Sequence, residues 1–245
     1  VATSPDIDFA GANGEMLRGY LATPATPGPW PGVVVIHEAY GLDDDIRRIT
    51  DRFAAAGYLA LAPDLFSWGL TARCLVTSFR SLMSRSGRSF DDIRGARDRL
   101  LATEGCNGHV GVIGFCMGGG FALACAPRGL FDVAAPNYGM VPKNAETVLA
   151  GACPIVGSYG GRDRGLRGHA GRLEEALTKL GVDHDVKEYP DANHSFLNHH
   201  GGVPAALDRI TGMGHHDASA EDAWQRIFAF FGSHLEGAPT PDRPG

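Results

Sequence analysis

Three stretches of the chain carry β-branched and apolar residues with no polar alternation: 31–37, 58–63 and 110–115. Runs of this kind predict strands buried on both faces, as in a parallel sheet. Between the first two, Ile46, Ile49 and Phe53 recur at helical spacing. Asp43, Asp44 and Asp45 precede them and Gly57 follows, which suits the two ends of a helix over 43–56. Ser89 with Asp92, then Ile93, Ala96 and Leu100 on one face, predicts a further helix starting at Ser89. A small-residue helix is expected over 118–126, strands over 133–138 and 154–159, a helix over 172–180 closed by Gly181, and a strand over 182–189. Ser219 is read as the cap of a last helix, whose Trp224, Ile227, Phe228 and Phe231 form an apolar stripe.

Two short strands, 7–9 and 16–22, open the chain around a Gly-Ala-Asn-Gly turn and are expected as an antiparallel edge. The stretch 64–89 fits a helix or a mobile cap. The alternation of strands and helices predicts an α/β fold with a mostly parallel central sheet and helices on both faces. No repeat or linker interrupts 245 residues, so one domain over 1–245 is expected, with a loose Gly- and Pro-rich tail at 237–245.

Composition removes several classes of function. The net charge is −6, with 28 acidic and 22 basic side chains and no run of five or six like charges, which argues against a nucleic-acid partner. No apolar run approaches about 18 residues, so no membrane span is expected. The N-terminal Val-Ala-Thr-Ser-Pro-Asp has neither the basic nor the apolar region of a signal peptide. Five cysteines at irregular spacing make no disulfide framework, and no C-x-x-C pair supports structural zinc; free thiols point to the cytoplasm.

In a parallel sheet the reactive groups stand at the carboxyl ends of the strands. After the strand ending at Phe115 the chain reads Gly114-Phe115-Cys116-Met117-Gly118. This is G-x-C-x-G, the thiol form of the nucleophile elbow, with the thiol at a helix N-terminus that favours thiolate. The rival nucleotide-binding motifs, G-x-G-x-x-G and G-x-x-x-x-G-K-[ST], are absent there. A thiol nucleophile needs a base and the base an orienting acid. Asp163 follows the 154–159 strand and His194 follows the 182–189 strand, giving the chain order nucleophile, acid, histidine. Asp191 is the competing acid. The backbone N–H groups of Met117 and Ala39 are the expected oxyanion donors, and Glu38 stands beside Ala39 after the first parallel strand. His199-His200 and His215-His216 lack metal-ligand spacing, so no metal and no cofactor are expected.

These residues resemble the dienelactone hydrolase family of α/β-hydrolases. The resemblance runs from about Gly32 to Leu235 and rests on His37-Glu38-Ala39-Tyr40-Gly41, Ala62-Pro63-Asp64-Leu65, Gly114-Phe115-Cys116-Met117-Gly118-Gly119, Gly160-Gly161-Arg162-Asp163, His194-Ser195-Phe196 and Ala223-Trp224-Gln225-Arg226. It implies a Cys116–His194–Asp163 triad, with Glu38 contacting the resting thiol and helping to form the thiolate. It further implies hydrolysis of a small-molecule ester or lactone. The family binds its substrate carboxylate with arginines, one of them four positions after the catalytic histidine. That position here is Asn198; the second arginine falls in a stretch holding Arg73, Arg80, Arg85 and Arg88. Asn198, Arg73 and Arg80 are the expected substrate contacts, with neutral esters preferred over anionic ones. The alternative is a catalytically silent binding protein on the same fold. A monomer or small homo-oligomer is expected.

Overall fold

The computed structural model describes residues 5–11, 14–199 and 214–235. His200 and the 237–245 tail, both named above, lie outside the described residues, as do Ala12 and Asn13 of the first turn.

Eight strands form one sheet. In chain order they are β1 (Asp6–Ala10), β2 (Met16–Ala22), β3 (Trp30–Ile36), β4 (Leu59–Pro63), β5 (Cys106–Phe115), β6 (Val133–Asn137), β7 (Ile155–Gly160) and β8 (His184–Tyr189). Their order across the sheet is β1-β2-β4-β3-β5-β6-β7-β8. β1 pairs antiparallel with β2, and β2 antiparallel with β4, while β3 to β8 run parallel. The antiparallel edge expected from the first two strands is present.

Among the described residues the α-helices are α1 (Asp44–Ala55), α2 (Thr71–Ser84), α3 (Arg88–Leu101), α4 (Met117–Cys125), the single turn α5 (Ala145–Val148), α6 (His169–Leu180) and α7 (Asp217–Leu235). They cover both faces because the buried strands are apolar on both. On β3, Val34 and Ile36 pack in one core with Ile93 of α3, Phe121 of α4 and Leu173 of α6. Val33 and Val35 pack in the other with Phe53 of α1 and Trp224 and Phe231 of α7. The period-2 alternation of side chains thus assigns β3 to two cores at once.

Several boundaries differ from the sequence reading. The 64–89 stretch contains a regular helix, α2. α3 begins one residue before Ser89, and its N-cap is Gly87 without a side-chain bond. Ser89 instead lies buried inside the helix, its hydroxyl donating to Ser78 Oγ at 3.2 Å. Ser219 likewise lies within α7, two residues past its start. The capping acceptor there is an imidazole: Ser219 N–H points at His216 Nδ1 at 3.3 Å, and Ser219 Oγ lies 2.8 Å from the same nitrogen. α6 starts at His169, three residues before the expected Arg172. At Ser89 and Ser219 the helix begins before the residue whose local chemistry suggested its start.

Candidate active site

Sheet register brings the first two groups together. β4 and β5 lie on opposite sides of β3, so the chain reverses its direction of travel there, and the carboxyl ends of β3 and β5 open a crevice. Ile36 pairs with Gly114 across these strands. Glu38 and Cys116 are each two residues beyond that pair, one on each strand exit.

The turn at Cys116 is as sharp as the motif requires. Cys116 has φ 53° and ψ −111°, a conformation that L residues rarely adopt. Close backbone approach holds it. A Cβ on Gly114 would stand 2.0 Å from Gly118 O, and one on Gly118 would stand 2.3 Å from Ile36 O. Neither glycine can be replaced without moving backbone. Asn137, at the end of β6, braces the same turn: its carbonyl accepts from Cys116 N–H at 3.1 Å, and its Nδ2 donates to Gly114 O at 3.2 Å.

Asp163 follows β7 and His194 follows β8. Asp163 caps a short 3₁₀ turn, accepting from Gly165 N–H at 2.9 Å and Leu166 N–H at 3.3 Å through Oδ1. This leaves Oδ2 for His194 Nδ1, 2.5 Å away. Burial opposes ionisation of Asp163, yet the hydrogen bonds from His194 and the two amides hold its carboxyl below the usual range. Burial likewise disfavours a charged His194. The Asp163 bond and the neighbouring Cys116 outweigh it and push His194 up to about 10. His194 therefore joins Asp163 and Cys116.

Glu38 completes the group. One ligand atom from each of Glu38, Cys116 and His194 falls within 4.8 Å of the other two. Such a Glu/Cys/His set has the donor types of a zinc site with an open position, and the same atoms are those a thiol nucleophile, its base and a neighbouring carboxylate would present. Glu38 is 3% exposed and accepts from Ser195 Oγ at 2.7 Å. Ser195 adopts φ 58°, the left-handed region, to make that bond. His37 secures the strand exit from behind. Its Nδ1 meets Glu38 O at 2.6 Å, and its Nε2 accepts from Leu65 N–H at 3.1 Å. An imidazole that donates from one nitrogen and accepts at the other is neutral, and burial lowers the pKa of His37 accordingly.

Met117 is the first residue of α4, so its N–H has no acceptor within the helix. Among the described residues neither its amide nor that of Ala39 donates to another protein group. Both remain available as anion donors.

Asn198 departs from expectation. It is 1% exposed, and both ends of its amide are taken. Oδ1 accepts from Tyr138 OH, and Nδ2 donates to the buried Asp45 at 2.7 Å. Asn198 is therefore a support for Tyr138, whose ring lies 5.2 Å from that of His194. Arg73 and Arg80 are exposed on α2 and belong to none of the contacts around Cys116. Asp191 is exposed and paired with Arg162 at 2.5 Å, away from His194. Sequence reasoning missed Tyr138, Ser195, Asn137 and His37. Ser195 and His37 sat inside quoted motifs, but nothing in their spacing specified a role.

The family model described as "Dienelactone hydrolase family" matches residues 17–235. A protein of Saccharolobus solfataricus named "Putative carboxymethylenebutenolidase" is 30% identical over 259 residues, covering 91% of this chain and 96% of its own. The crystal structure of the "Putative Dienelactone Hydrolase" of Klebsiella pneumoniae shares 26% identity at a TM-score of 0.75, over 94% of this chain and 98% of that one. The dienelactone hydrolase of Anabaena variabilis, at 20% identity and a TM-score of 0.66, covers 96% of this chain and 99% of its own and shares the fold.

Proposed function

The chain belongs to the dienelactone hydrolase family and is a hydrolase with an α/β-hydrolase fold; within that family we propose that it cleaves a carboxylic ester or lactone through a thioester on Cys116. The observation that carries this reading is the position of His194, bonded to Asp163 at 2.5 Å and grouped with Cys116 and Glu38, whose ligand atoms lie within 4.8 Å of one another.

In the proposed cycle Cys116 attacks the acyl carbon as thiolate, formed by proton transfer to His194. The helix dipole at the start of α4 and the protonated imidazole both favour that charge. Met117 and Ala39 N–H groups receive the oxyanion. As the C–O bond breaks, the imidazolium gives its proton to the departing alkoxide, which leaves as alcohol or, from a lactone, stays attached as a hydroxyl. Water, deprotonated by His194, then attacks the thioester, releasing the carboxylic acid and restoring the thiol. Asp163 holds the histidine tautomer and stabilises the imidazolium. Glu38, fixed by Ser195, places a carboxylate beside the thiol and its base. No cofactor enters this scheme, and the substrate is a small molecule.

A linked triad favours turnover over silent binding. The test is hydrolysis of an aryl acetate and of a simple lactone by the wild-type chain and by Cys116→Ala. Turnover confined to the wild type supports the reading. Equal turnover by the variant overturns it.

A further inference from the structure

A second cavity, of about 390 Å³, opens between α2, α4, α6 and the loop after β6. None of Glu38, Cys116, Asp163 and His194 lines it. Its walls are largely aliphatic, from Leu82, Leu123, Val141 and Val148. Met83 and Met140 stand at its edge, 67% and 47% exposed. Flexible thioethers at a mouth can adapt to an apolar guest.

The charged groups around it have one sign. Arg85, Lys143 and Arg172 line the cavity, and no aspartate or glutamate does. Among the described residues none of these three cations pairs with a carboxylate; Arg172 donates only to the Val141 carbonyl, at 3.0 Å. The fourth polar side chain, His169, accepts from Val141 N–H at 3.0 Å and so presents a neutral lone pair to the backbone. Arg85 itself holds φ 54° as the C-cap of α2, a place where glycine is the usual residue.

An apolar trough with three unpaired cations at its margin is complementary to an aliphatic chain that ends in an anion. We propose that this cavity binds an aliphatic carboxylate of medium chain length, at a site separate from Cys116. The chain lies along Leu82, Leu123 and Val148, and the carboxylate meets Arg85, Lys143 and Arg172.

The test is calorimetric titration of the full chain with decanoate, decanol and butyrate. Decanoate is expected to bind at one molecule per chain. Decanol, which lacks the charge, and butyrate, which lacks the length, should each bind about tenfold more weakly or worse, the scale of one charge-assisted hydrogen bond. Arg85→Gln and Lys143→Gln should weaken decanoate and leave decanol unchanged. Ala124→Phe, which fills the cavity, should abolish binding while the thermal melt and esterase rate persist. Alkylation of Cys116 should leave decanoate binding intact. Absence of binding, equal affinity for decanol and decanoate, or loss of binding on Cys116 alkylation would each overturn the proposal. So would self-association of the chain that excludes decanoate, since a second copy would then be the occupant.

Discussion

Two thiols stand at opposite ends of one helix. Cys116 caps the N-terminus of α4 and Cys125 ends it. The first is partly exposed, with His194 and Glu38 beside it. The second is fully buried among apolar side chains, and burial pushes its thiol up to about 12. Cys153 is likewise pushed up to about 12 by burial. The same side chain thus stands among titratable partners in one place and is closed off in the core in the other, and the backbone also tells the two apart. Cys125 sits in ordinary helix, while Cys116 is held in a conformation that only close glycine packing sustains. Strain of this kind persists where the surrounding structure enforces it.

The widest gap between the two thiols should appear on removal. Cys116→Ala is expected to lower kcat/KM by about 10⁴–10⁶, the scale seen when a triad nucleophile is deleted. Cys125→Ala should leave the rate unchanged and cost about 1 kcal/mol in urea unfolding. Comparable rate losses in both variants would erase the contrast.

Next in size is the acid behind the histidine. Asp163→Asn should keep the fold and reduce kcat by about 10⁴, because the amide stabilises the wrong imidazole tautomer. Asp191→Asn should change little, since Asp191 is exposed and bonded to Arg162. The pH profile sharpens this. With His194 pushed up to about 10, kcat/KM should fall as pH rises through that value, because the proton needed by the leaving group is lost. In Asp163→Asn the alkaline limb should move to lower pH. Stability follows the same sign. The folded value exceeds the ordinary 6.5, so the stabilisation is complete below about pH 6.5 and disappears as pH climbs through about 10. Chemical unfolding across that window checks it; constant stability would contradict the Asp163–His194–Cys116 linkage.

A smaller effect is expected at the carboxylate beside the thiol. Glu38→Gln should lower kcat/KM by about 10²-fold, the low end of what a positioned proton-transfer group supplies. Ser195→Ala should act in the same direction, because it frees the Glu38 carboxylate from its anchor. Steady-state kinetics on an aryl acetate reads both.

The smallest effect on rate belongs to Asn198. Asn198→Ala leaves Tyr138 and Asp45 without their partner and should destabilise the chain by about 1–3 kcal/mol, with activity changing less than for Glu38→Gln. A large loss of rate at unchanged stability would instead restore Asn198 as a substrate contact.

Much of this architecture was legible in the chain. The apolar runs at 31–37, 58–63 and 110–115 announce strands buried on both faces, and β3, β4 and β5 lie there. G-x-C-x-G named the elbow because its glycines answer to backbone contacts that no side chain could share. Asp163 and His194 were legible as residues just beyond strand ends. What was hidden depends on distant partners. Ser195 meets Glu38 across 157 positions, and Asn198 meets Asp45 across 153. Local spacing carries no trace of such pairs. Helix starts were misplaced as well: Ser89 and Ser219 have cap chemistry, yet both helices begin before them.

The most direct measurement is the mass of the chain quenched in acid during turnover of an aryl acetate, followed by peptide mapping. The account predicts one added acetyl group, on Cys116, sensitive to neutral hydroxylamine and absent in Cys116→Ala. An acetyl group on Ser195, the hydroxyl beside His194, or unabated turnover in the variant lacking Cys116, would contradict it.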